Sequence, residues 1–100
     1  MNAILIYQEP IHVLCETYSV KSLYAFGSIL TSQFNSKSDV DLIVEFNSVE
    51  VDNYADNYFA LKEALQNLFD RHVDLLEKQA LHNPLFIEAL DSQKILVYGH

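Results

Sequence analysis

Leu23-Tyr24-Ala25-Phe26-Gly27-Ser28 is an almost unbroken apolar run that stops on a glycine and a serine, and after ten intervening residues Asp39-Val40-Asp41-Leu42-Ile43-Val44 opens a second run with two acids. The first run predicts a strand over Lys21 to Phe26, ended by Gly27-Ser28. A short helix is expected through Ile29 and Leu30 to about Gln33. Asn35, Ser36 and Ser38 make Phe34 to Ser38 a loop. Val40 to Phe46 alternates well as a strand. Val40, Leu42 and Val44 fall on one face and Asp41, Ile43 and Glu45 on the other.

Working outward from this centre, Glu9 to Tyr18 reads as a helix. Pro10 lies in its first turn, and Ile11, Leu14, Cys15 and Tyr18 recur at helical spacing. Asp52 to Phe69 reads as a longer helix whose inward stripe is Tyr54, Tyr58, Leu61, Leu65 and Leu68. Glu50, Asp52 and Asp56 are suitably charged for its N-terminal side. His72 to Leu76 is a third strand. Asn83 can cap, and Pro84 can begin, a helix running to about Leu90, before an edge strand over Lys94 to Tyr98. The order predicts an α/β (α+β) fold, a small mixed sheet flanked by helices, with residues 1–100 forming one domain.

Fourteen acids against six bases give a net charge of −8, and the six bases are scattered, so DNA binding is not expected. The acidic balance suits divalent cations or a basic partner protein as well as plain solubility. Cys15, the only cysteine, lies in an apolar helical pattern and reads as a buried small hydrophobe. No stretch approaches the about 18 apolar residues of a membrane span. The short apolar run at the start lacks a basic region before it, so a cytoplasmic location is the expectation.

The chemistry lies in the acids. Asp39 and Asp41 share one face of a strand, where two carboxylates repel unless something positive sits between them. Asp74 lies inside the apolar run Val73-Asp74-Leu75-Leu76, where an acid is costly unless it joins other polar groups. Three convergent carboxylates would hold divalent metal, and Mg²⁺ prefers a few carboxylates together with substrate phosphates. Gly27 allows backbone to approach a phosphate closely, and Ser28 adds a hydroxyl where strand gives way to helix. Taken singly, each motif has a plainer reading: a solvated strand edge for Asp-x-Asp, a half-wet sheet for Asp74, a helix cap for Gly-Ser. Glu45 shares Asp41's face and either flanks the site or is solvated. His12, His72, His82 and His100 show no metal-ligand spacing and read as surface residues. Tyr54 and Tyr58 read as core.

Taken together, Leu23 to Ser28, the ten-residue gap and Asp39 to Val44 resemble the signature of the DNA polymerase β-like nucleotidyltransferase superfamily. Arg71-His72-Val73-Asp74-Leu75-Leu76 looks like its third-carboxylate strand. Asn83-Pro84-Leu85-Phe86 and Lys94 to Tyr98 look like the tail of its minimal, antitoxin-type members. The resemblance covers the chain from about Leu23 onward and implies a polymerase β palm-like fold. It implies that Asp39, Asp41 and Asp74 hold Mg²⁺, two ions in all, and that Asp74 activates the acceptor hydroxyl. It implies that Gly27 and Ser28 hold the phosphates of ATP. The implied reaction moves AMP from ATP to a hydroxyl of a partner protein, with a helical HEPN-type toxin as the partner and a homo- or hetero-oligomer as the assembly. In one respect the chain departs from the pattern. Relatives often continue Gly-Ser with x-Ala-Arg-Gly, whereas here Thr31 stands in place of the arginine and Ser32 in place of the glycine. Lys37 and Arg71 are the cations available to compensate. The alternative reading is therefore a catalytically weak or inactive subunit that neutralises a partner by binding it.

Overall fold

The computed structural model describes residues 3–48 and 51–99; the side chains of Ala3, Val51 and Asp52 lie outside the described set. The chain runs α1 (Gln8–Thr17), β1 (Val20–Phe26), β2 (Val40–Phe46), α2 (Val51–Phe69), β3 (Val73–Glu77), α3 (Pro84–Asp91) and β4 (Ile95–Gly99). Short 3-10 helices precede α1 (Ala3–Tyr7), follow β1 (Gly27–Leu30) and follow β3 (Lys78–Ala80). The four strands form one mixed sheet in the order β3-β2-β1-β4. β1 is antiparallel to both β2 and β4, while β2 and β3 run parallel. A parallel pair needs a crossover, and α2 supplies it. The mixed sheet expected from the element order is the sheet observed, and β4 occupies an edge as its sequence suggested.

Alternation along β2 divides the molecule. Val40, Leu42 and Val44 are fully buried and join Leu23, Ala25, Val73 and Leu75 of the neighbouring strands in one core. Ile11 and Cys15 of α1, and Leu61, Leu65 and Phe69 of α2, close over that face. Burying this many branched and aromatic side chains is the main driving force for folding. Cys15 behaves as the expected small hydrophobe, and burial pushes its thiol up to about 12. Tyr54 and Tyr58 are half-buried on α2, and their hydroxyls donate to the Glu77 carboxylate and the Leu75 carbonyl respectively, tying the crossover helix to β3. Asp70 ends α2 in the left-handed region at φ 54°, a conformation that Asp tolerates better than most residues.

On the opposite face, Ile43 of β2 and Leu90 of the short helix α3 are buried outside the main core. That helix starts as predicted: the Asn83 side-chain oxygen accepts from the amides of Leu85 (3.0 Å) and Phe86 (3.3 Å), and Pro84 opens the first turn. A cleft beside α3 is lined by Ile43, Leu81, Ile87 and Leu90 on the face that also carries Asp41.

Several boundaries differ from expectation. The helix after Gly27-Ser28 stops at Leu30 rather than Gln33, because the Thr31 hydroxyl donates to the Ser28 carbonyl and accepts the Gln33 amide, competing with helical bonding. β3 and β4 each lie one residue later than predicted. The 3-10 helix at Ala3–Tyr7 was not anticipated, since a five-residue apolar run carries no period to read. The charge expected from Glu50 and Asp52 falls outside the described residues, as does His100. No described helix is long and apolar enough to cross a membrane.

Candidate active site

Strand register assembles the acids. Asp41, the second residue of β2, lies directly beside Asp74 of the parallel strand β3, and opposite Phe26 at the end of antiparallel β1. In-register neighbours point to the same face, so the Asp41 and Asp74 carboxylates meet there. Asp41 is pushed up to about 6. Burial is the largest cause, followed by the charge of Asp74 and then that of Asp39; His72 pulls the other way. Asp39 stands exposed just before β2.

The structure brings a fourth residue to these three. His72, which the sequence offered as a plain surface residue, places Nε2 2.9 Å from the Asp74 Oδ1. Asp39, His72 and Asp74 each present one ligand atom, all within 4.8 Å of one another. Asp41 touches Asp74 from the other side, toward Gly27. The predicted carboxylates are thus gathered at one spot, with Asp74 as the member common to both contacts. An imidazole and three carboxylates are a suitable donor set for a divalent cation, which would relieve the repulsion that lifts Asp41. The residues fit a metal.

The loop delivering Asp39 is held by Arg71. Its Nη1 donates to the carbonyls of Asn35 (2.6 Å) and Ser38 (3.3 Å), its Nε to Phe69 (3.1 Å), and its guanidinium lies 4.4 Å from the centre of the Phe34 ring. These bonds make Arg71 a clamp on the loop. Thr31, at the position of the usual arginine, is taken up by its bonds to Ser28 and Gln33. Lys37 is exposed in the loop, and only its backbone amide is engaged there, with the Asn35 side chain at 2.9 Å. Glu45 does not flank the site: it pairs with Lys78 (3.4 Å) and Lys21 (3.9 Å) and accepts from Ser22 at the far end of β2.

Gly27 closes the site on the β1 side. Its φ is +76°, and a Cβ there would stand 2.5 Å from Asp41 Oδ2. The left-handed backbone favours glycine, and a side chain there would also displace the Asp41 carboxylate. Ser28 follows in the 3-10 helix, half-buried, while Ile29 behind it is fully buried and anchors the turn in the core.

Residues 10–97 match the model of the nucleotidyltransferase domain family. The chain belongs to that family. A Methanocaldococcus jannaschii relative named "putative protein adenylyltransferase" is 36% identical over 85 residues, 85% of this chain and 84% of its own length. A solved structure described as a "putative minimal nucleotidyltransferase" superposes with TM-score 0.75 at 25% identity and covers 95% of each chain. A solved complex of a tri-AMPylated Shewanella oneidensis HEPN toxin with its MNT antitoxin gives a TM-score of 0.64 at 18% identity, over 96% of this chain and 72% of that one. At that identity the likeness is one of fold alone.

Proposed function

We propose that this nucleotidyltransferase moves AMP from ATP to a hydroxyl of a partner protein. The observation that carries the proposal is the in-register pair Asp41 and Asp74, flanked by Gly27, where a side chain would displace the Asp41 carboxylate, in a chain of this family. Asp39, Asp41 and Asp74 would hold Mg²⁺, two ions when substrate is present. Bound there, the metal would neutralise phosphate charge and make the acceptor hydroxyl more acidic. Gly27 would allow the backbone to approach the triphosphate, and its amide and the Ser28 hydroxyl would donate to phosphate oxygens. Asp74 lies on the edge strand β3, half-exposed, where a hydroxyl from outside can reach it. Its carboxylate accepts the hydroxyl proton as the oxygen attacks the α-phosphorus. The bond from that phosphorus to the bridging oxygen then breaks, and pyrophosphate leaves.

The described sheet and helices are read as one cytoplasmic domain of residues 1–100. The acceptor is read as a helical HEPN-type toxin, the kind of protein that is AMPylated in the Shewanella oneidensis complex. The test is transfer of label from α-labelled ATP to the cognate partner. Transfer should require Mg²⁺ and vanish in Asp39→Asn and Asp41→Asn; full-rate transfer by either variant would sink the metal assignment.

One observation favours a second reading. Thr31 and Arg71 are both committed to internal bonds, so the phosphate side lacks the usual arginine. A subunit that neutralises its partner by covering it would bind that partner without nucleotide and be indifferent to the Asp changes. Calorimetry with ATP and Mg²⁺ separates the two: heat of binding to the isolated chain supports the enzyme, and silence there and in transfer supports the binding subunit.

A further inference from the structure

We propose that His72 is a direct ligand of the metal held by Asp39 and Asp74, and that its imidazole turns the site from Mg²⁺ toward first-row transition cations such as Co²⁺ or Zn²⁺. The inference rests on the reading that these carboxylates hold a divalent metal, and it adds a donor and a selectivity to it. The three ligand atoms already lie within 4.8 Å of one another, so small rotations about side-chain bonds bring them onto one ion. His72 Nε2 now sits 2.9 Å from Asp74 Oδ1, and an ion between them would replace that hydrogen bond with two coordinate bonds. The His72 side chain is 51% exposed, so the ring has room to swing.

The backbone holds the ligands in register. The Val40 amide donates to the His72 carbonyl at 3.1 Å, joining the starts of β2 and β3 beside Asp39. Arg71, the residue before His72, clamps the loop that ends at Ser38, the residue before Asp39. Two neighbouring residues of one segment therefore fix the position of Asp39 and provide the nitrogen donor facing it. Mg²⁺ is served by oxygen and gains little from a nitrogen ligand, whereas transition cations favour imidazole. A His beside two carboxylates is the mixed set those cations prefer.

The test compares metal binding to wild type, His72→Gln and Asp39→Asn, by calorimetry with Mg²⁺ and by calorimetry and visible absorption with Co²⁺. His72→Gln should weaken Co²⁺ by at least about tenfold and leave Mg²⁺ within about threefold. Zn²⁺ should also move the Nε2 resonance of His72 in the wild-type protein. Equal weakening of Co²⁺ and Mg²⁺, or no weakening of Co²⁺, overturns the proposal and leaves His72 as a hydrogen-bond partner of Asp74. If Asp39→Asn retains both cations, the carboxylate-metal reading itself fails. If Asp39→Asn loses both and His72→Gln loses neither, only the role of His72 fails.

Discussion

The two halves of the site are built by different means. The carboxylate half is built into the sheet: Asp41 and Asp74 are neighbours because β2 and β3 pair in parallel, and Asp39 is held because Arg71 bonds the loop before it. The Gly27-Ser28 half is a single 3-10 turn, anchored by Ile29 and closed by Thr31 bonding back to Ser28. Sheet register is difficult to change one residue at a time, because a one-residue slip turns every side chain to the wrong face. The turn is restrained at Gly27 and at buried Ile29, but its exposed position Thr31 can change with little effect on the fold. Thr31 can therefore stand in the turn without disturbing the three acids.

The comparison can be broken most severely at Asp74. Asp74→Asn should lower kcat for transfer by about 10³-fold, as expected for loss of a general base, with little change in KM for ATP. Steady-state kinetics with the cognate acceptor checks this, and a KM effect without a kcat effect would place Asp74 on the binding side instead. Gly27→Ala tests the contact between the halves. The added methyl strains a backbone at φ +76° and collides with Asp41, so kcat/KM should fall by about 50-fold, or ~2–3 kcal/mol.

Arg71→Ala should loosen the loop and cost about 2 kcal/mol in urea unfolding, since three hydrogen bonds and a cation–π contact are lost. Metal affinity should fall with it, because Asp39 is no longer held. Thr31→Arg sharpens the comparison from the other direction. Restoring a charge-assisted phosphate contact should tighten ATP binding about tenfold in calorimetry, or ~1.4 kcal/mol. No gain would mean that the turn aims position 31 away from the phosphates.

The smallest effect is the pH dependence of the metal-free protein. Asp41 sits at about 6 in the folded state, above its ordinary 3.8, so its ionisation weighs against folding. Its favourable contribution is fully present below about pH 4 and is lost as pH rises through about 6. Asp41→Asn removes that loss. The variant should be more stable than wild type at pH 7.5 by about 1 kcal/mol, after solvent screening at this half-buried group, and no more stable at pH 3.5. Thermal melts at the two pH values check it, and Mg²⁺ should narrow the gap at pH 7.5.

Much of this was legible along the chain because the signals are local. Val40 to Phe46 alternates with period two and is the strand observed, with its predicted inner residues buried. Asn83-Pro84 contains its own cap and first turn. Asp39, Asp41 and Asp74 were singled out by the cost of placing acids in apolar strands, and the spacing from Gly27-Ser28 pointed to a family that residues 10–97 match. What one residue's neighbours cannot reveal is which residue lies across a strand boundary. His72 and Asp74 are two residues apart and share a face by alternation alone, but only the parallel register, with α2 crossing between β2 and β3, brings Asp39 to them. Arg71 and Thr31 likewise looked like a free cation and a bare substitution until the folded loop showed their hydrogen bonds. The sequence by itself determined the strands, the α-helices and the buried face of the sheet, since periodicity acts on each segment alone, and its motifs carried the resemblance to the family. Tertiary structure decided which side chains share the acidic cluster and which are engaged in holding its loop, because those contacts depend on how distant segments meet in space.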